Sequence, residues 1–182
     1  MPDPREAWAF LENSDPISSA EEVQAAIGRL AAEISARLAD AYPLVLVVMG
    51  GAVVFAGQLL PQLRFPLDLD YLHVTRYGAA TRGAAAQWRV RPNEPVQGRT
   101  VLVLDDILDH GETLRAIRDG LLETGAKAFC SAVLVEKDLG RSRPFVADFV
   151  GLRIPDRFVF GCGMDAKGFW RNLPEIRAMR ER

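Results

Sequence analysis

The run Val101-Leu-Val-Leu-Asp105-Asp106-Ile-Leu-Asp109-His110-Gly111-Glu112-Thr113-Leu114 constrains the fold more than any other part of the chain. Four apolar residues without polar alternation read as a strand covered on both faces, as in a parallel sheet lying under helices. Asp105 and Asp106 then emerge at the carboxyl end of that strand, the edge at which open α/β sheets bind ligands. The turn over residues 109–113 can aim several backbone N–H groups and the Thr113 hydroxyl at one phosphate, helped by the positive end of the helix starting there. Gly111 lets the backbone come close to such an anion. Two neighbouring carboxylates repel each other and cannot hold a phosphate directly; they suit sugar hydroxyls or a divalent cation. A ligand carrying hydroxyls, phosphate and metal fits all three parts. A strand followed by an ordinary capped helix is the plainer reading of a lone Asp-Asp pair.

Strand and helix patterns alternate through the middle of the chain. Ser19-Ala-Glu-Glu22 has the form of a capping box, and Val23, Ile27, Leu30, Ile34 and Leu38 follow at steps of three and four. This predicts an amphipathic helix of about five or six turns, ending before Pro43. Residues 44–49 form a second buried strand, Gly50-Gly51 breaks it, and a helical pattern resumes over 52–63. Residues 67–75 alternate apolar positions with Asp68 and Asp70, the pattern of an exposed or edge strand. Residues 77–86 are rich in Gly, Ala, Thr and Arg without a burial pattern, which predicts a mobile, functional loop. After the strand at 100–105 come a helix over 112–123 with Gly125 as its stop, a strand over 128–136, and short strands at 149–151 and 158–160. The tail after Pro174 reads as helical. The expected class is α/β with a mainly parallel central sheet flanked by helices.

With 182 residues, 49% of them hydrophobic, the chain has the length of one domain. Cys130 and Cys162 stand apart in apolar surroundings, as expected of free thiols in a reducing compartment. The first residues lack the basic-then-apolar pattern of a signal peptide, and the apolar run 44–49 is too short to cross a bilayer. A soluble, cytoplasmic protein without a membrane partner is expected. The 22 basic residues against 24 acidic ones argue against a nucleic-acid partner held by charge.

The 101–114 run resembles the phosphoribosyl pyrophosphate loop of the type I phosphoribosyltransferases. Further motifs narrow this to the hypoxanthine-guanine phosphoribosyltransferases: Gly50-Gly-Ala-Val-Val-Phe-Ala-Gly57, His73-Val-Thr-Arg-Tyr77, Val133-Leu-Val-Glu-Lys137, Asp148-Phe-Val-Gly-Leu-Arg-Ile-Pro-Asp156 and Arg171-Asn-Leu. Orotate- and adenine-specific relatives share the loop but not the Pro-Asp-x-Phe-Val segment. The resemblance implies one phosphoribosyltransferase domain over 1–182, with a core at about 40–140 and a small hood built from the N-terminal segment and about 145–182. It implies purine salvage from phosphoribosyl pyrophosphate and hypoxanthine or guanine, Mg²⁺ as cofactor, and a homodimer or homotetramer.

Carried over to this chain, the resemblance puts Asp105 and Asp106 on the ribose hydroxyls, and Asp109, His110, Gly111, Glu112 and Thr113 around the 5′-phosphate. Asp109 also becomes the general acid/base near purine N7. Lys137 donates to the purine 6-oxo group, Phe158 stacks on the base, and the Val159 backbone reads its other edge. Asp165 ligates Mg²⁺, with Asp105 and Asp106 contributing indirectly; Met49, Gly50 and Arg171 lie on the pyrophosphate side. Arg76 and Tyr77 belong to the mobile loop. Three departures stand out. Val48-Met49-Gly50 lacks the Lys or Arg usual before the glycine, although the resemblance still implies a non-proline cis peptide at 48–49. Arg76 replaces a common Ser, and His110 and Glu112 replace a Thr and a small or basic residue, so Glu112 must point away from the phosphate.

Other readings are weaker. Gly161-Cys-Gly-Met-Asp-Ala166 fits a dinucleotide fingerprint, but too few residues follow it to complete a βαβ unit. A phospho-accepting receiver would carry its Asp pair near the start of the domain. Met49 keeps open a regulator of this fold that senses purine nucleotides or phosphoribosyl pyrophosphate; Asp109, Lys137, Asp165 and Arg171 together favour the enzyme.

Overall fold

The computed structural model describes residues 3–76 and 86–180. The chain opens with α1 (Pro4–Glu12), started by Asp3, whose carboxylate accepts the Arg5 N–H, and by Pro4 in the first turn. Strand β1 (Ser14–Ser18) follows, then α2 (Ala20–Leu38), where the Ser19 and Glu22 side chains complete the reciprocal capping box. Its buried stripe includes Val23, Ile27, Leu30, Ile34 and Leu38, the positions read from periodicity. Next come β2 (Leu44–Val48) and α3 (Val53–Leu59), the latter tightened into a 3₁₀ turn at Leu60–Gln62 around Pro61. Then β3 (Asp68–Arg76), β4 (Ala86–Val90), β5 (Thr100–Leu108), α4 (Glu112–Glu123), β6 (Ala128–Asp138), β7 (Phe149–Pro155), β8 (Val159–Phe160) and β9 (Ile176–Met179) complete the order.

Six strands form one sheet in the order β4-β3-β2-β5-β6-β7, parallel throughout except for the antiparallel β3–β4 pair. Every residue of β2 is buried, as is β5 from Val101 to Asp105, so both faces of the sheet centre are covered. A smaller antiparallel sheet, β1-β9-β8, joins the two ends of the chain. β7 is hydrogen-bonded into the larger sheet, which therefore runs on to Pro155.

Two expectations are corrected, and a third falls almost wholly outside the described residues. Of the two readings of β3, exposed or edge, the second is overturned: Leu69 and Tyr71 are exposed, but β4 pairs with the strand's outer side. Its aspartates serve the neighbouring loop instead: Asp68 binds Arg99 at 2.7 Å, and Asp70 accepts the Asn93 and Glu94 N–H groups at 2.6 and 3.0 Å. The tail after Pro174 is strand β9 rather than helix; Ile176 and Ala178 are buried while Arg177 and Met179 are less so, the period of a strand. The run read as a loop over 77–86 ends in β4 at Ala86, and residues 77–85 lie outside the described ones.

Candidate active site

The carboxyl ends of β2 and β5 lie side by side at the centre of the large sheet, and a cavity of about 290 Å³ opens above them. Its wall is the run Asp105–Gly111 with Thr113 and Leu114, closed by Val48, Met49 and Gly51 of the glycine turn and by Val74. A Cβ on Gly51 would lie 1.9 Å from Asp106 Oδ2, so only glycine lets the turn pass this close to the acid pair. The cis peptide lies at Met49–Gly50, one bond beyond the expected 48–49 position.

Asp105 is buried and its Oδ1 accepts the Asp106 N–H at 3.0 Å. Burial raises the proton affinity of Asp105 well above that of a free carboxylate, and the Asp106 charge adds to this. Asp106 is raised too, chiefly by burial, while the field of Arg171 pulls the other way. Among the described residues neither carboxylate is in a salt bridge. The pair is a concentration of buried negative charge that favours a proton, a cation or hydroxyl donors.

Gly111, with φ of 82°, turns the chain into α4, whose N-terminus has no side-chain cap. Gly111, Thr113 and Leu114 at this uncapped helix start line the cavity, a placement suited to binding an anion. Glu112 is absent from that wall; it lines a neighbouring hollow of about 160 Å³ with His110, Arg141 and Arg143.

Asp109 joins the phosphate turn to the second constellation. Lys137 Nζ lies 3.8 Å from Asp109 Oδ2 and 3.4 Å from Asp156 Oδ1, and its side chain is nearly buried. On the other side, His110 Nδ1 is 3.1 Å from Asp109 Oδ1 but out of hydrogen-bond alignment, which leaves both buried atoms without a partner. Arg143 ties the strand ends together from behind: it donates to Leu108 O at 3.2 Å and to Lys137 O, and pairs with Glu136 at 3.4 Å. Asp156 and Arg143 were not among the residues singled out from sequence. Asp156 sits within the Ile-Pro-Asp motif, so its place was visible. Arg143 comes from an irregular stretch where no periodicity marks it.

Phe158 is 56% exposed, while the adjoining Val159 is buried and paired with Ala178 of β9. Neither Lys137 nor Phe158 lines the 290 Å³ cavity; Lys137 is linked to it through Asp109.

Asp165 and Arg171 come from the loop 161–171 between β8 and β9. The loop crosses the glycine turn at Gly163, where φ is 101° and an added Cβ would fall 1.8 Å from Gly51 O. Arg171 donates to Gly163 O at 2.6 Å and forms an ion pair with Asp165, whose other oxygen accepts the Gly168 N–H at 2.6 Å. The two residues expected on the pyrophosphate side are therefore paired with each other. Arg76 ends β3 opposite Ala86, and Tyr77 lies outside the described residues.

The phosphoribosyl transferase domain family matches residues 14–167. The hypoxanthine-guanine phosphoribosyltransferase of Bacillus subtilis is 33% identical over 163 residues, covering 89% of this chain and 91% of that protein. The enzyme of the same name from Aquifex aeolicus is 32% identical over 158 residues, 86% of this chain and 89% of its own length. Among solved structures, a hypoxanthine-guanine phosphoribosyltransferase from Bacillus anthracis superposes with a TM-score of 0.85 at 29% identity, covering 91% of this chain and 98% of that one. A hypoxanthine phosphoribosyltransferase from Staphylococcus aureus gives 0.85 at 26% identity, with 94% and 95% covered. Sheet order, phosphate turn and full-length relatives converge, and the chain belongs to the phosphoribosyl transferase family, among its hypoxanthine-guanine members.

Proposed function

We propose that this protein transfers the 5-phosphoribosyl group from phosphoribosyl pyrophosphate to hypoxanthine or guanine, releasing IMP or GMP and pyrophosphate. The observation that best supports this is the Lys137–Asp109 pair: the Lys137 ammonium lies 3.8 Å from a carboxylate that lines the same cavity as Gly111 and Thr113, as a purine-reading group beside a phosphate site would. An ammonium has only donors, so Lys137 favours a 6-oxo acceptor over the 6-amino group of adenine. Asp156 holds that ammonium from its other side. Phe158 offers an exposed ring for stacking, and the Val159 backbone reads the far edge of the base.

In this reading Asp105 and Asp106 accept hydrogen bonds from the ribose hydroxyls, and residues 109–113 hold the 5′-phosphate. Asp109 takes the proton from purine N7 as the bond from N9 to ribose C1 forms and the C1–pyrophosphate bond breaks. Arg171 neutralises the departing pyrophosphate, with the backbone N–H groups of Gly50 and Gly51 in place of a side-chain cation there, since the Met49 N–H donates to Leu72 O at 2.8 Å. The donor set suits Mg²⁺: Asp105, Asp106 and Asp165 are hard oxygen donors, and the first two form an uncompensated buried acid pair. Such an ion would keep several waters and take substrate oxygens as further ligands. When bound, the ion supplies charge neutralisation at the pyrophosphate. Asp165 is free for it once Arg171 turns to pyrophosphate. The two buried free thiols favour a reducing compartment, the cytoplasm.

A Mg²⁺-dependent assay of the purified protein against hypoxanthine, guanine, xanthine, adenine and orotate tests the reading. Turnover is expected with 6-oxopurines and not with adenine or orotate. Binding of phosphoribosyl pyrophosphate without turnover of any base would favour the regulator that Met49, in the cavity wall where relatives carry a cation, leaves as the second reading. Asp109→Asn should lower kcat by roughly 10²- to 10⁴-fold, the usual share of acid/base catalysis. Its effect on phosphoribosyl pyrophosphate binding should be small; equal losses in both would make Asp109 a part of the turn only.

A further inference from the structure

Helix α1 has no buried residue, so it contributes little to the core, and at nine residues it is too short to be stable by itself. It nevertheless touches one segment repeatedly. Trp170 Nε1 donates to Ala7 O at 2.6 Å, and the Trp8 and Trp170 rings meet edge to face with centroids 5.1 Å apart. Phe10 lies 6.2 Å from Phe169, Lys167 Nζ sits 5.3 Å over the Phe10 ring, and the same ammonium pairs with Glu6 at 3.1 Å. All of these contacts fall on residues 167–170, between Asp165 and Arg171. Within that stretch Lys167 and Trp170 have φ of 51° and 67°, the left-handed region that non-glycine residues rarely adopt. Left-handed conformations at a lysine and a tryptophan persist only where surrounding contacts enforce them. α1 ends at Glu12, before the segment shared with the wider family begins.

We propose that α1 is a clamp that positions the pyrophosphate-side loop, with Trp8 and Glu6 as positioning residues that act through Trp170 and Lys167 on Asp165 and Arg171. The clamp rests on the pyrophosphate role proposed above for those two residues. Because α1 meets neither Lys137 nor Phe158 in any described contact, its loss falls on one substrate. A Glu6→Gln/Trp8→Ala double variant should raise KM for phosphoribosyl pyrophosphate about three- to tenfold, the equilibrium equivalent of one edge-to-face aromatic pair. KM for hypoxanthine should stay within about twofold. Trp8→Phe should restore most of the loss. If both KM values rise together, or neither moves, the clamp is wrong.

Fluorescence provides a readout independent of turnover. The chain has three tryptophans, so a Trp88→Phe background leaves Trp8 and Trp170 as the emitters. Pyrophosphate with Mg²⁺ should shift their emission, and hypoxanthine alone should not. This shift in the Trp88→Phe protein, with no purine turnover by the wild type, refutes the transferase reading and keeps the clamp; unchanged emission in a Trp88→Phe protein that remains active refutes the clamp alone.

Discussion

Asp105 and Asp106 illustrate how a single pair of residues opposes the stability of the fold it serves. Both hold a proton more tightly in the folded chain than in the unfolded one, because burial penalises their charges and, at Asp105, the neighbouring Asp106 charge adds to that penalty. A carboxyl raised in this way leaves stability intact below the unfolded pKa, near 4, and withdraws it as the pH climbs through the folded value. At neutral pH the pair is therefore a net cost. Asp105→Asn keeps the oxygen that accepts the Asp106 N–H and removes one charge. In buffer containing EDTA it should raise stability at pH 7.5 by an amount on the order of 1 kcal/mol, or about 2–4 °C in Tm. The gain should shrink toward pH 4, and calorimetry across this range checks it. Binding of phosphoribosyl pyrophosphate should weaken in the same variant; a variant less stable at pH 7.5 would show that the pair is not strained.

At the scale of elements, the site depends on two glycine-containing segments crossing. A methyl on Gly163 would overlap Gly51 O, and a methyl on Gly51 would overlap the Asp106 carboxylate; this close crossing is how the small sheet delivers Asp165 and Arg171 to the edge of the large one. Gly163→Ala should cost about 1–3 kcal/mol from its positive φ alone, with a further loss from the clash with Gly51 O. Gly168→Ala is the control: φ is 87°, but an added Cβ meets nothing within 4 Å, so only the backbone share is lost. Urea titration of both variants should rank them in that order, with KM for phosphoribosyl pyrophosphate rising in Gly163→Ala. Equal losses would mean that the crossing is loose.

What was readable from sequence divides along the same line between local and tertiary causes. α2 carries its cap and its stripe in its own residues, and α4 has the turn before it and Gly125 after it, so both were legible nearly to their ends. β9 was not. Glu175, Arg177 and Met179 favour a helix, but pairing with β1 and β8 overrides that propensity. The alternation in β3 indicates an exposed or edge strand; Leu69 and Tyr71 are exposed, but the edge is covered by β4, which lies in a stretch without recognised periodicity. In the site, Asp105, Asp106, Asp109 and Lys137 stood at strand ends that the apolar runs announce. The Asp165–Arg171 pairing and the Arg143 brace arise from chain crossings that no local pattern encodes.

At the scale of the whole molecule, the two sheets approach one another at the Gly51–Gly163 crossing, beside the cavity. In the proposed reading, phosphoribosyl pyrophosphate touches both: its ribose and 5′-phosphate lie on β5 and α4, its pyrophosphate on the loop 161–171. Binding should therefore stabilise the whole chain rather than one sheet. By mass action, ligand at one hundred times its Kd adds about 2.7 kcal/mol. For a chain of 182 residues this corresponds to roughly 5–11 °C in Tm. The shift should depend on Mg²⁺, because without the ion the pyrophosphate approaches Asp105, Asp106 and Asp165, three carboxylates, with Arg171 as its one assigned side-chain cation and Met49 offering none. Thermal scans with phosphoribosyl pyrophosphate in Mg²⁺ and in EDTA should thus differ by more than half of the full shift, while hypoxanthine alone moves Tm little in either buffer. A shift of equal size in EDTA would mean that the protein neutralises the pyrophosphate unaided, and that the acid pair serves only the ribose.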